Sequence, residues 1–231
     1  MNSRSSYIVE WANESNLQEV LSFLHENFDK EEVVLTSMRN DDPTENEESM
    51  WTDHEKIIKA IFTSSPCLIV KHELTKRIIA VNQMIVSRNP RFDTTGDGVT
   101  AVFVNNPPKT KLMERYFNYL SGIANKANLY QKFPDAKAAV EFYAVVVDKE
   151  HRGKGLAKTL IKEGISFATN LEDVGFIFGI FTSTFSSKAA KQLGFWSVMQ
   201  VDLLKETNET GRLIFQDTPP HNIISVLVLS V

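Results

Sequence analysis

The chain has 231 residues and a mass of 26.1 kDa, with 42% hydrophobic and 23% charged residues, enough for a sizeable core without disulfides or structural metals. Its 25 Lys and Arg against 29 Asp and Glu leave a net charge of −4, which excludes the basic stripe of a general nucleic-acid binder. The one cysteine, Cys67, excludes an intrachain disulfide framework and a cysteine-based zinc site, and the longest apolar stretches, Phe142 to Val147 and Ile223 to Leu229, fall far short of the roughly 20 residues of a membrane span.

The N-terminal MNSRSSYIVEW has no secretory apolar core, so a soluble protein of the cytoplasm is expected. In chain order, the first strong element is a helix over Ser15 to Phe28. Leu17, Val20, Leu21, Leu24 and Phe28 fall on one face of a 3.6-residue period, and Ser15 with Gln18 reads as a capping box. A second helix carries Met50, His54, Ile57, Ile58 and Ile61 on one face. Cys67 to Lys71 and Arg77 to Val86 are β-rich runs around a polar turn, predicting an antiparallel hairpin. A third helix carries Leu112, Tyr116, Leu120, Ile123 and Ala127.

Val140 to Val147 is almost continuously apolar, as expected of a strand buried on both faces. A glycine turn then leads to a helix with Leu156, Leu160, Ile161 and Ile165 on one side. Phe176 to Phe181 reads as another buried strand, and Ser186 to Leu193 as a short helix ended by Gly194. Trp196 to Leu204, Arg212 to Phe215 and Ile223 to Leu229 read as terminal strands. Asn40 to Asn46 and Asn89 to Asp97 read as loops, too short to link independent domains. The expected fold is one α/β domain over residues 1–231, a mixed sheet covered by helices.

The segment richest in chemistry is Tyr143 to Ile161, where a strand, a glycine turn and a helix start follow one another. In Arg152-Gly153-Lys154-Gly155-Leu156-Ala157 the glycines permit a tight turn. The first helical turn offers unpaired N–H groups and the positive end of the dipole, an arrangement that cradles a phosphate or pyrophosphate. An ordinary βα turn is the bland alternative. The P-loop pattern is absent, because Gly153 and Gly155 are too close and no Lys-Ser/Thr pair follows. The dinucleotide fingerprint is absent too, because Lys158 stands where its third glycine belongs.

Arg152-x-x-Gly155-x-Ala157 after Val145-Val146-Val147-Asp148 resembles the acyl-CoA pyrophosphate loop of the GNAT superfamily of N-acetyltransferases. Downstream, Lys191-Gln192-Leu193-Gly194-Phe195 resembles the K-x-L-G-F ending of that superfamily's next helix. Within it the chain is most similar to the invertebrate arylalkylamine N-acetyltransferases. The likeness lies in VLSFLHENFDKEEVVL, in Thr182-Ser183-Thr184-Phe185-Ser186 and in Pro219-Pro220-His221-Asn222-Ile223. The resemblance spans roughly Tyr7 to Ile223. It implies a mostly antiparallel central sheet with a splayed strand pair and acetyl-CoA as donor. The pantetheine arm would lie along Val145, Val146 and Val147, and the pyrophosphate on Arg152, Gly153, Lys154, Gly155, Leu156 and Ala157.

The resemblance also implies the acceptor chemistry. A protonated amine needs a base, and the match puts it at Glu32, with Glu31 as the neighbouring alternative because Val33 replaces the family's proline. Thr182 and Ser186 match two serines that serve as hydroxyl partners in catalysis. As plain structure, Thr182 ends a strand and Ser186 caps the next helix. Ala190 excludes the tyrosine acid that many relatives place four residues before the L-G-F glycine. The implied substrates are acetyl-CoA and a small arylalkylamine, with no nucleic-acid or membrane partner and the oligomeric state left open. A polyamine or peptide amine, a longer acyl chain, or acyl-CoA binding without turnover remain the alternatives.

Among other residues, the five histidines show no metal-ligand spacing, His54 reads as a packed core histidine and His221 as loop reinforcement. Trp51, Phe142, Phe178, Phe181 and Phe185 are candidates for an amine pocket, though most suit the core. The acidic run Asp41 to Glu48 reads as a solvated loop, and Cys67 as a strand core residue.

Overall fold

A computed structural model describes residues 7–41, 46–93, 99–207, 211–216 and 218–231. The chain opens with strand β1 (Tyr7–Trp11) and helix α1 (Leu17–Leu24), which widens into a π-helical turn over His25–Asp29. Helices α2 (Val33–Asp41) and α3 (Glu47–Ser64) follow, then the hairpin β2 (Cys67–His72) and β3 (Ile78–Arg88). Helices α4 (Val99–Asn105), α5 (Lys111–Ala127) and α6 (Leu129–Lys132) lead to strand β4 (Ala138–Val147). The chain ends with α7 (Leu156–Thr169), β5 (Val174–Phe181), α8 (Thr184–Lys191), β6 (Trp196–Asp202) and β7 (Ile223–Ser230).

The seven strands form one sheet in the order β1-β2-β3-β4-β5-β7-β6. Every neighbouring pair is antiparallel except β4 and β5. That parallel pair is joined only from Ala138↔Val174 to Glu141↔Phe178, after which Phe142–Val147 and Gly179–Phe181 diverge. The expected mixed sheet with a splayed central pair is therefore present. Beside the gap, the register of β3 against β4 passes from Gln83↔Ala144 to Met84↔Phe142, leaving Tyr143 as the bulged residue.

Helices cover both faces, because the strands alternate their apolar side chains across the sheet. On β5, Val174, Ile177 and Phe181 pack with Leu156, Leu160 and Ile161 of α7. Phe176, Phe178 and Ile180 instead face Val33 to Met38 of α2 and Leu112 to Ile123 of α5. A third cluster joins Val20, Leu21 and Leu24 of α1 to Ile69 and Val81 on the sheet. Cys67 is buried, as expected, and burial pushes its thiol up to about 12.

Several local expectations need correction. A 3₁₀ turn over Glu14–Asn16 leads into α1 and is capped by Asn13, whose Oδ1 accepts from Ser15 N at 2.9 Å while Asn16 Oδ1 accepts from Asn13 N at 3.0 Å; Ser15 is not the cap. Arg212 to Phe215 is not a strand: Leu213 forms a single bridge to Thr207, while Phe215 is buried from a loop. Leu203 and Leu204 leave the sheet in a 3₁₀ turn that Asp202 starts by accepting from Leu204 N at 3.1 Å. Helix α2 was not expected, and it takes in Asn40 and Asp41 of the segment read as a loop. The remainder of that predicted loop, residues 42–45, and 94–97 of the second lie outside the described residues.

Candidate active site

The gap between β4 and β5 opens where three chain segments converge. The first is the turn after β4. Asp148 accepts from Glu150 N at 2.9 Å to start a 3₁₀ turn over Lys149–His151. Gly153 and Gly155 then adopt φ of +75° and +82°, a region costly for any side-chain-bearing residue. Gly155 sits at the start of α7 without a side-chain cap, and a Cβ on either glycine would meet nothing within 4 Å. The helix start is thus an open cradle of N–H groups, which is what an anionic diphosphate requires.

Arg152 does more than add charge to the rim. Its Nε donates to Val147 O at 3.1 Å, and its guanidinium pairs with the Glu31 carboxylate. The turn is thereby tied to the end of β4 and to the segment that precedes α2. Val145, Val146 and Val147 pair with Asn82, Val81 and Ala80 of β3 on one edge. Their other edge faces the gap, so backbone groups there are open to an extended ligand. Lys154 is exposed, Leu156 is buried under α7, and Ala157 is half-buried in its first turn.

The second segment carries Glu32. The π-helical turn closes with Glu31 N and Glu32 N both donating to Phe28 O, at 2.9 and 2.7 Å. Glu32 then heads α2, its Oε2 accepting from Leu35 N at 2.7 Å. Its Oε1 is buried without a partner of normal hydrogen-bond geometry. Burial raises the Glu32 pKa, the nearby Thr182 hydroxyl and the Leu35 and Val34 N–H groups pull it back down, and the Asp29 charge raises it further. A carboxyl poised above its usual range is suited to proton transfer near neutral pH.

The third segment is the end of β5 and the start of α8. The structure brings the Thr182 hydroxyl near the Glu32 carboxyl. The N-cap of α8 is Ser183, whose Oγ accepts from Phe185 N at 3.3 Å, and not Ser186 as the sequence predicted. Ser186 is half-buried, and its Oγ donates back to Ser183 O at 3.1 Å. His221 has the reinforcing part expected of it. Its Nδ1 accepts from Thr184 N at 3.2 Å, and Thr184 Oγ1 donates to Pro220 O at 2.8 Å. Burial and the charge of Arg152 lower the His221 pKa.

Residues not assigned a catalytic part from the sequence line the same region, among them His54, buried as expected of a packed core histidine. Asp29 and His54 are fully buried, His54 Nδ1 lies 2.6 Å from Asp29 Oδ1, and His54 Nε2 lies 2.9 Å from Tyr143 Oη. Glu141 is half-buried on β4, and burial pushes its carboxyl up to about 7. The signals were present as polar residues inside apolar patterns: His54 on a helical stripe, Glu141 and Tyr143 in VEFYAVVV. Of the candidate pocket aromatics, Phe142 and Phe181 pack under α7 against Phe195, Trp51 stacks on His25 at 4.4 Å, and Phe185 is exposed. Phe178 alone is half-buried on the α2–α5 face. Among the described residues there is no His, Cys, Asp or Glu cluster that fits a metal ion, and no helix long and apolar enough to cross a membrane.

Comparison with known proteins bears on this geometry. Residues 99–195 match the model of the acetyltransferase (GNAT) family. No curated protein matches the sequence. Among solved structures, a mosquito arylalkylamine N-acetyltransferase like 5b superposes with a TM-score of 0.80 at 21% identity, covering 98% of this chain and 100% of that one. Arylalkylamine N-acetyltransferase 2 from Aedes aegypti gives 0.80 at 20% identity, covering 97% and 99%. Drosophila melanogaster polyamine N-acetyltransferase, which forms N-acetylagmatine, gives 0.77 at 16% identity, covering 98% and 100%. Residues 99–195 thus resemble the acetyltransferase (GNAT) family, and the chain as a whole shares the fold of these N-acetyltransferases, with its splayed strand pair and open helix start.

Proposed function

We propose that the protein transfers acetyl from acetyl-CoA to the primary amine of a small arylalkylamine, with residues 1–231 acting as one catalytic domain. The donor lies with its pantetheine arm along Val145 to Val147 and its pyrophosphate on the turn Arg152 to Ala157, where the two left-handed glycines leave the helix start uncovered. The acceptor enters from the α2–α5 face, beside Phe178. Glu32 takes the ammonium proton, directly or through a water, and the free amine attacks the thioester carbonyl. Thr182 holds the Glu32 carboxyl, and Ser186, one turn into α8, is a hydroxyl available to the departing sulfur. The observation that carries this reading is the buried Glu32 carboxyl, with one oxygen unpaired and Thr182 beside it.

One observation favours a second reading within the same chemistry. Among the described residues no hydrogen bond or ion pair reaches the Glu141 carboxyl, and Tyr143 feels the charges of both Glu141 and Glu32. A second carboxyl in that space suits a diamine or polyamine, whose far cation it would meet. The fold is shared with both arylalkylamine and polyamine N-acetyltransferases. The test is acetyl-CoA-dependent thiol release against tyramine, dopamine, serotonin, tryptamine, agmatine, spermidine and a short peptide. Selective turnover of the aromatic amines supports the first reading. Turnover confined to agmatine or spermidine overturns it in favour of the second, and release with the peptide alone overturns both.

A further inference from the structure

Helix α3 turns one imidazole, His54, into the apolar stripe of Met50, Ile57, Ile58 and Ile61, where it has no access to solvent. Its two partners come from separate elements. Asp29 ends the π-helical turn, whose extra residue per turn rotates a carboxylate inward beside the apolar face of α1. Tyr143 is the bulged residue of β4, at the edge of the splayed gap. The distances are 2.6 Å from Asp29 Oδ1 to His54 Nδ1 and 2.9 Å from His54 Nε2 to Tyr143 Oη. With the Asp29 carboxylate as acceptor, Nδ1 carries the hydrogen of its bond, which leaves Nε2 to take the tyrosine O–H. Phe28 and Phe117 lie against the imidazole, at ring-centroid distances of 5.9 and 6.0 Å.

Tyr143 is half-buried, unlike its two partners, and it lies beside the strand gap within reach of the Glu32 charge, the base of the proposed site. Burial, and then the charges of Asp29, Glu141 and Glu32, hold its phenol protonated well above the usual range. Tyr116 of α5, buried likewise, faces the charges of Glu32 and Asp29. Behind Asp29 stands His25, with Nδ1 3.5 Å from the second carboxylate oxygen, which has no hydrogen-bond partner. A phenol that does not ionise can still pass a proton on, provided it gives one away as it takes one.

We infer that Asp29, His54 and Tyr143 form a second proton path for acetyl transfer, alongside Glu32. The inference rests on the acetyl-transfer reading above. Nitrogen loses two protons on going from ammonium to amide, and Glu32 takes the first. When the amine has attacked, Tyr143 Oη takes the second from the tetrahedral intermediate as its own proton passes to His54 Nε2, and Asp29 faces the imidazolium so formed. The C–S bond then breaks with its electron pair on sulfur. The same chain runs in reverse: Nε2–H returns its proton to Tyr143, and Tyr143 protonates the thiolate. The path ends neutral, with CoA leaving as the thiol, and the proton on Glu32 goes to solvent. Tyr143 is the catalytic residue of this path, and His54 and Asp29 are positioning residues.

The test uses the full chain with its best amine. Tyr143→Phe removes one oxygen from a half-buried site. Asp29→Asn keeps the shape but donates to Nδ1, which turns the imidazole into a donor at Nε2 and reverses the path. Each variant is measured for melting temperature, acetyl-CoA affinity, and kcat across roughly pH 6 to 9 in light and heavy water. Both are expected to lose about 100-fold in kcat, with an altered solvent isotope effect and unchanged acetyl-CoA affinity. The double variant is expected to be no slower than the worse single one. A network serving only packing would lower the melting temperature and leave kcat and its isotope effect as they were. That result in Tyr143→Phe overturns the inference, whether or not Asp29→Asn folds. A wild-type protein that acetylates no amine overturns the acetyl-transfer reading and this path with it, whereas turnover with Tyr143→Phe unimpaired overturns the path alone.

Discussion

Glu141→Gln is expected to stabilise the protein, and to do so only where the carboxyl would be ionised. Burial on β4 pushes the Glu141 carboxyl from an ordinary value of 4.5 up to about 7. The sign follows from which state holds the proton more tightly. The folded state does, so its stability is intact below 4.5, declines as the unfolded chain ionises between 4.5 and 7, and has lost the full amount above 7. At about 1.4 kcal/mol for each tenfold change in proton affinity, that loss is about 3 kcal/mol, and partial access of water to the site trims it to about 2–3 kcal/mol. Glutamine has no charge to bury, so the variant keeps what the wild type loses. For a chain of this size the gain corresponds to roughly 4–12 °C in Tm. The assay is urea denaturation of both proteins at pH 4.5, 6, 7.5 and 9. A gain that is equal at every pH, or a loss at pH 9, refutes the reasoning that an unpaired carboxyl is being held in an apolar wall.

Three other outcomes are expected. Asp53 is the reverse case: burial raises its pKa, but hydrogen bonds from Thr110 and Lys109, with N–H groups at 2.7 and 2.6 Å from Oδ2, outweigh it and hold the carboxyl below its usual range. Asp53→Ala should therefore destabilise by about 1–3 kcal/mol at neutral pH, and the difference should shrink as acid protonates the wild-type carboxyl, as pH-dependent melting would show. Gly155→Val puts a branched side chain at φ +82° in the open cradle, and calorimetry should find acetyl-CoA affinity reduced about tenfold or more. Phe176→Ala empties a fully buried site stacked on Phe133 at a centroid distance of 4.7 Å, and should cost about 3–5 kcal/mol in denaturant titration.

The parts of the fold that could be read from the sequence are those whose apolar period is clean. Leu17, Val20, Leu21 and Leu24 marked α1, and the run from Val140 to Val147 marked the strand at the centre of the sheet. Helix α2 escaped because it opens on the β-branched pair Val33-Val34 and is short, with its apolar residues bunched in the first six positions. Strand β1 escaped because it is a short edge strand, half-buried over most of its length. Arg212 to Phe215 misled in the other direction, since Phe215 reaches the core from a loop and needs no ladder. In the candidate site, the open glycine turn before α7 was legible because glycine spacing is a local property. The partnership of Glu32 with Thr182 was reachable only through resemblance. The Asp29–His54–Tyr143 chain depends on a π-helical turn and a β-bulge, each an extra residue that shifts a side chain to another face without a sequence mark of its own.

The central claim is that a buried Glu32 carboxyl deprotonates the acceptor for attack on acetyl-CoA. It is tested most directly by the rate of amide formation, followed by mass spectrometry, with saturating acetyl-CoA and the preferred amine, in wild type, Glu32→Gln and Glu31→Gln. Glutamine at 32 preserves the contact to Leu35 N and the packing while removing the base, so a loss of about 10²–10⁴-fold in kcat/KM is predicted. Glu31→Gln, which breaks only the pair with Arg152, should weaken acetyl-CoA binding and leave kcat largely intact. Full activity in Glu32→Gln, or loss of kcat confined to Glu31→Gln, would contradict the account.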